Sequence, residues 1–156
     1  MASFYLDTSA LGKRYVDETG SDWIRALTAP IADNALLTAR ITMVEMYSAL
    51  ARRKREGSVP VEACASAMKA FSTHCTTDYL FIELDLMVIR LARDLLDRHP
   101  LRAYDSVQLA SALSASQALV DRELTPLVFL SADDRLLQAA RVEGMDVDNP
   151  NLHPTT

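Results

Sequence analysis

Four acids occupy positions where chemistry could be done. Asp7 follows the short apolar run Phe4-Tyr5-Leu6, Glu45 opens a helical pattern after the run Ala35 to Ala39, Asp105 opens an Ala/Ser-rich stretch, and Asp133 follows Leu127 to Leu130. Acids at the ends of strands matter because an open parallel sheet binds its ligands at the carboxyl ends of the strands. Carboxylates that converge without matching cations repel one another, and a divalent cation relieves that repulsion. Oxygen-only ligation suits magnesium, with manganese as the alternative. A metal in such a site activates water, aligns it and neutralises charge on a leaving oxygen, so the chemistry implied is phosphodiester cleavage. Each acid alone also has a purely structural reading. Asp7 and Asp105 can be helix N-caps, Glu45 the far half of a capping box with Thr42, and Asp133 a first-turn acid favoured by the helix dipole. The set, more than any member, points to a site.

Lys13, Arg14, Arg40, the run Arg52 to Arg55, Arg98 and Arg102 are candidates for a basic rim that would meet phosphate. The Arg52 to Arg55 run is equally explained as cations at the negative end of a helix dipole. Arg40 and Arg102 stand closest to candidate acids and suit either a phosphate contact or an acid-orienting ion pair. His74, His99 and His153 have no paired acid, and no Gly-x-Ser-x-Gly elbow or Cys/His arrangement supports a nucleophilic mechanism. The ten aromatic residues are scattered and not interleaved with basic ones, so no stacking platform for single strands is evident. The four glycines are dispersed, which excludes a Walker loop and a dinucleotide fingerprint. Cys64 and Cys75 lack partners at metal-finger spacing and read as core or helix-face residues.

The elements that must position the acids alternate between short apolar runs and helical patterns. Strands are predicted at Phe4 to Leu6, Leu80 to Leu84 and Leu127 to Leu130, with Ala35 to Ala39 as a brief apolar run and Met145 to Val147 as an edge strand. Helices are predicted from about Ala10, around Trp23 to Leu27, from Thr42 to Gly57, from Pro60 to about Thr76, from Leu86 to Arg98, from Tyr104 to Val120, and from Asp133 to Glu143 with Gly144 as C-cap. Parallel strands need crossover connections that cover both faces of the sheet, so the expected fold class is α/β, with a short parallel central sheet flanked by helices.

The chain has 156 residues, 49% of them hydrophobic, and a net charge of −5. That length bounds one domain with a sizeable core, expected over residues 1–148, with 149–156 as a loose C-terminal tail. The longest uncharged stretch, Ser106 to Val120, is too short and too polar to span a bilayer, and Met1 to Asp7 lacks the pattern of a secretory signal; a cytoplasmic location is expected.

Four blocks in order, Tyr5-Leu6-Asp7-Thr8-Ser9-Ala10-Leu11, Thr42 to Leu50, Leu101 to Leu113 with Tyr104-Asp105-Ser106, and Phe129 to Leu136 with Ser131-Ala132-Asp133-Asp134, resemble the PIN domain, in particular the VapC-type toxins. Lys13, Tyr15 and the Glu18 to Ser21 turn extend the similarity over almost the whole chain. The resemblance implies a PIN-like α/β/α sandwich and a magnesium- or manganese-dependent endoribonuclease acting on RNA as the toxin of a type II pair. It also implies a cognate VapB-type antitoxin as inhibitor, a basic residue of which commonly reaches the acidic pocket, and a homodimer. Asp7, Glu45, Asp105 and Asp133 align with the family's acidic quartet. That alignment implies that Asp7 and Asp105 hold metal and that Glu45 and Asp133 support it or a second ion. Ser9 and Ser131 align with hydroxyls that support the metal or its waters, and Lys13, Arg14, Arg40 and Arg102 are candidate RNA-phosphate contacts. Gln108 stands where many members carry His, and Ser131 where Thr is common. Of the doublet Asp133-Asp134, spacing to Leu136 favours Asp133 as the inward acid, since Asp134 lies about 100° away around the helix. The alternatives are a PIN-fold module that binds RNA or protein without cutting, and an Asp-nucleophile phosphatase or phosphotransfer domain. The latter wants a second acid two residues after the first, and Asp7-Thr8-Ser9 lacks it.

Overall fold

The computed structural model describes residues 1–155. Five strands form one sheet: β1 (Ser3–Leu6), β2 (Ala35–Ala39), β3 (Tyr79–Ile82), β4 (Val128–Leu130) and β5 (Asp146–Asp148). Their order is β3-β2-β1-β4-β5 and every pairing is parallel, with Tyr5 registered against Leu37 on one side and Phe129 on the other. Among the described residues seven α-helices surround it: α1 (Thr8–Leu11), α2 (Ser21–Thr28), α3 (Thr42–Glu56), α4 (Val61–Thr77), α5 (Leu86–Arg98), α6 (Ala103–Val120) and α7 (Asp134–Val142). The α/β/α sandwich expected from the alternation of elements is the fold observed.

Two apolar layers hold the sheet, and the strand alternation divides residues between them. Tyr5, Leu37 and Phe129 join Val88, Leu95, Leu109 and Leu136 of α5, α6 and α7. Their neighbours Leu6, Leu36 and Leu130 join Leu11, Ile24, Met46 and Phe71 of α1 to α4. Runs apolar at every position are what a sheet covered on both faces requires. Alanines and serines along α6, including Ala110, Ser111 and Ala112, are buried and let that helix lie close to β2 and α5.

Several boundaries differ from expectation for local reasons. The first helix lasts one turn and passes into a 3-10 turn at Gly12–Arg14. The third strand is Tyr79–Ile82, because Asp85 caps α5 through the Val88 amide and the chain must leave the sheet beforehand. Thr42 and Glu45 form no capping box: Ile41 is the N-cap of α3, and both side chains are drawn elsewhere. Asp105 lies within the first turn of α6 behind Arg102 at the cap. Asp133, by contrast, is the N-cap of α7, accepting from the Arg135 and Leu136 amides.

Of the segment 149–156 expected to be a loose tail, residues 149–155 are packed, and Thr156 lies outside the described residues. Pro150–Leu152 forms a 3-10 turn with Pro150 buried, and the His153 ring stacks on Trp23 of α2 at 4.0 Å between centroids. Its Nε2 pairs with Asp148, and Thr155 Oγ1 donates to Asp22 at 2.7 Å. Gly20, at φ +85°, admits this packing, since a Cβ there would sit 2.2 Å from the Pro150 carbonyl oxygen. Among the described residues no helix is long and apolar enough to cross a membrane.

Candidate active site

The chain leaves β1 toward β2 on one side and later returns to place β4 on the other, so the carboxyl ends of β1 and β4 flank a topological switch point. A cleft of about 650 Å³ opens there, and Asp7, Glu45, Asp105 and Asp133 all line it.

Asp7 terminates β1 and caps α1. Its Oδ1 accepts from the Ala10 amide at 2.9 Å and from Ser9 Oγ at 2.7 Å, and its Oδ2 accepts from Ser131 Oγ at 2.6 Å. The same two hydroxyls fasten the turn after β4: Ser9 Oγ accepts from the Ala132 amide and Ser131 Oγ from the Asp133 amide, at 2.9 and 3.0 Å. Ser9 and Ser131, singled out as metal-supporting hydroxyls, are thus the groups that orient Asp7. Asp133 then points its Oδ1 at the α7 amides. Asp134 is turned away, exposed and held by Asn149 Nδ2 at 2.9 Å, and it does not line the cleft.

Glu45, one turn into α3, has its Oε1 filled by Gln108 Nε2 at 2.7 Å and Thr8 Oγ1 at 3.1 Å. Its Oε2 accepts no hydrogen bond from the described residues. None of the four carboxylates forms an ion pair with a described residue, and their electrostatics show it. Burial pushes the Asp7 carboxyl up to about 6, against the hydrogen bonds from Ser131, Ala10 and Ser9, with the charge of Glu45 adding to the rise. Burial raises Glu45 also, with Asp105 adding to it, and burial raises Asp105, with Asp133 adding to it. The acids form a chain of repelling neighbours rather than a closed cage. Among the described residues no three His, Cys, Asp or Glu side chains group tightly enough to hold a metal by themselves.

The cations divide. Arg102 lines the cleft without an ion pair to a described residue, and its charge lowers Asp105. Lys13 lines the cleft but is buried, its Nζ donating to Glu18 Oε1 at 3.2 Å and to the Thr19 carbonyl at 2.8 Å. Arg52 and Arg53 from the basic run also line it, Arg53 pairing with Glu18. Arg14 and Arg40 are not brought there. Arg14 reaches Asp78 and Tyr79 at 2.7 Å each, and Arg40 pairs with Glu83 over the Phe81 ring at the edge strand. A carboxylate partner on β3 or just beyond its ends claims each guanidinium. Thr8 and Tyr104 also line the cleft and are not among the site residues expected from the sequence. Thr8 and Tyr104 adjoin Asp7 and Asp105 in the chain, which is the one signal that marks them.

The geometry has clear relatives. The PIN domain family model matches residues 4–142. No curated protein is significantly similar in sequence. Among solved structures, FitAB bound to an IR36 DNA fragment is 16% identical with a TM-score of 0.61, covering 98% of each chain. VapBC2 of Rickettsia felis bound to a DNA fragment from its promoter is 10% identical with a TM-score of 0.62, covering 94% of this chain and 98% of that one. Mycobacterium tuberculosis VapC20, a Sarcin-Ricin loop cleaving toxin, is 15% identical with a TM-score of 0.59, covering 87% and 94%. At such identities the structures speak for the fold, and the family model, which spans most of the chain, settles the membership: this protein belongs to the PIN domain family.

Proposed function

We propose that this protein is a magnesium-dependent endoribonuclease, manganese being able to substitute, and the toxin of a type II toxin–antitoxin pair. The observation that carries the reading is the row of carboxylates at the switch point, unpaired with any described cation, of which Asp7, Glu45 and Asp105 are raised by burial and by their acidic neighbours. A divalent cation is the partner such a row lacks. The donor set suits magnesium, which takes one or two carboxylates and completes its shell with water and substrate phosphate, so a three-carboxylate cage is not required.

Asp7 and Asp105 would hold the ion, with Glu45 and Asp133 supporting it or a second one. Bound there, a divalent cation supplies a water of lowered pKa and neutralises charge on the leaving oxygen. The protein's own groups do the rest. Ser9, Ser131 and the Ala10 amide fix the Asp7 carboxylate, leaving Oδ2 room for one further partner. Arg102, with Arg52 as a second cation, would meet phosphate at the rim.

The partners follow the same reasoning. An RNA backbone brings negative charge that needs the metal and the rim arginines together, and a VapB-type antitoxin presenting a basic side chain would neutralise the carboxylates in the metal's place. The DNA-bound FitAB and VapBC2 structures support an antitoxin partner, and VapC20, a Sarcin-Ricin loop cleaving toxin, supports RNA as substrate. A homodimer and a cytoplasmic location belong to the same proposal. The test is cleavage of total RNA by the purified protein with magnesium or with EDTA, beside a folded Asp105→Asn variant. Cleavage that needs both the metal and Asp105 is expected; cleavage indifferent to either contradicts the assignment.

A further inference from the structure

Gln108 lies in the second turn of α6, only 2% exposed, with its amide held at both ends. The fully buried Tyr5 donates its hydroxyl to Gln108 Oε1 at 2.7 Å. On the other side Nε2 stands 2.7 Å from Glu45 Oε1 and 2.9 Å from Thr42 Oγ1, with Thr8 Oγ1 farther off at 3.3 Å.

One backbone carbonyl dictates the direction of this network. The Leu6 carbonyl can only accept, so Thr38 gives its hydroxyl proton there, at 2.7 Å. Thr38 must then accept from Thr42, 2.8 Å away, and Thr42, its single proton committed, must accept from Gln108. The NH₂ group therefore faces Thr42 and Glu45 and the amide oxygen faces Tyr5. A flipped amide would set its oxygen against the Glu45 carboxylate and leave Thr42 without a donor. A histidine has two ring nitrogens and could serve at most two of the partners Tyr5, Thr42 and Glu45; glutamine serves all of them.

We infer that Gln108 is a positioning residue for Glu45. It fills Oε1, fixes the carboxylate plane relative to the end of β1, and leaves Oε2 as the oxygen available to the cleft. The inference rests on the reading of Glu45 as a metal-supporting acid. Its consequence is that the metal affinity of the site depends on a side chain that never touches the ion.

The test is a double-mutant cycle on Mn²⁺ binding to the full chain, measured by calorimetry without RNA, over wild type, Gln108→Met, Glu45→Gln and the double variant. Gln108→Met keeps the length of the side chain and removes its donors. It is expected to weaken Mn²⁺ binding roughly 10-fold in the wild-type background and to add nothing in the Glu45→Gln background. Equal losses in both backgrounds would overturn the positioning role and leave the metal site standing. Wild-type affinity in Glu45→Gln would instead overturn the reading of Glu45 beneath it. Should Gln108→Met fail to fold by circular dichroism, Tyr5→Phe serves in its place: it frees the far end of the amide, and a smaller loss that disappears in Glu45→Gln is expected, while an undiminished loss overturns the proposal.

Discussion

Ser131 Oγ, at the end of β4, donates a 2.6 Å hydrogen bond to Asp7 Oδ2, at the end of β1. The same oxygen accepts the Asp133 amide, so one buried hydroxyl joins two neighbouring strand ends and the turn that carries the next acid. Ser131→Ala leaves a buried carboxylate oxygen and a backbone amide short of partners, and a destabilisation of about 1–3 kcal/mol at neutral pH is expected in denaturant unfolding. Ser131→Thr keeps the hydroxyl and should stay close to wild type. Equal stability of the Ala and Thr variants would contradict the role given to the hydroxyl.

The raised Asp7 carboxyl makes stability depend on pH with a definite sign. The native state holds this proton up to about 6, the unfolded chain only to 3.8. The contribution is therefore fully present below the unfolded value and is lost as pH rises through about 6, a change on the order of 3 kcal/mol. Glu45 and Asp105 are raised as well and act with the same sign. In EDTA, Asp7→Asn is expected to be more stable than wild type at about pH 7.5 and to lose that advantage at about pH 4.5. Urea melts with the same pH slope in both proteins would contradict it.

Asp133 and Asp134 should separate cleanly. Asp133→Ala removes the cap of α7 and a cleft carboxylate, costing about 1 kcal/mol and most of the RNA cleavage. Asp134→Ala, which releases Asn149 outside the cleft, should cleave at the wild-type rate. The reverse pattern in matched cleavage assays would exchange their roles.

Gly20 packs against Pro150, and Trp23 against His153. Gly20→Ala is expected to cost about 2 kcal/mol or more, because the residue has φ +85° and a Cβ would meet the Pro150 carbonyl. Removing residues 149–156 should lower the melting temperature as well, since it strips His153 from Trp23. An unaltered melting temperature in both would show that this packing contributes nothing to stability.

The fold was legible because short, mostly apolar runs separated by helical patterns admit few arrangements other than a covered parallel sheet. The four acids were legible by position for the same reason: each follows a strand or opens a helix at one end of that sheet. What escaped the sequence was pairing between distant residues. Arg14 and Arg40 read as candidate phosphate contacts, and Arg40 also as an ion-pair partner of the candidate acids, but Asp78 and Glu83, at the two ends of β3, claim them instead. Thr42 and Glu45 have the spacing of a capping box, but Thr38, four residues earlier, and Gln108, on another helix, offer both side chains buried partners. Residues 149–155 carry the composition of a loose end, and contacts with distant residues, His153 stacked on Trp23 and Thr155 donating to Asp22, fix their position.

The central claim, that the carboxylates at the switch point cut RNA, is tested most directly by mapping new RNA 5′ ends across a transcriptome after brief induction. Wild type and Asp7→Asn would be compared in a host lacking the antitoxin. New ends at a few discrete sites with wild type, absent with Asp7→Asn, are the result predicted. Indistinguishable maps from two soluble, folded proteins would contradict it and turn the PIN fold of this chain toward binding without cleavage.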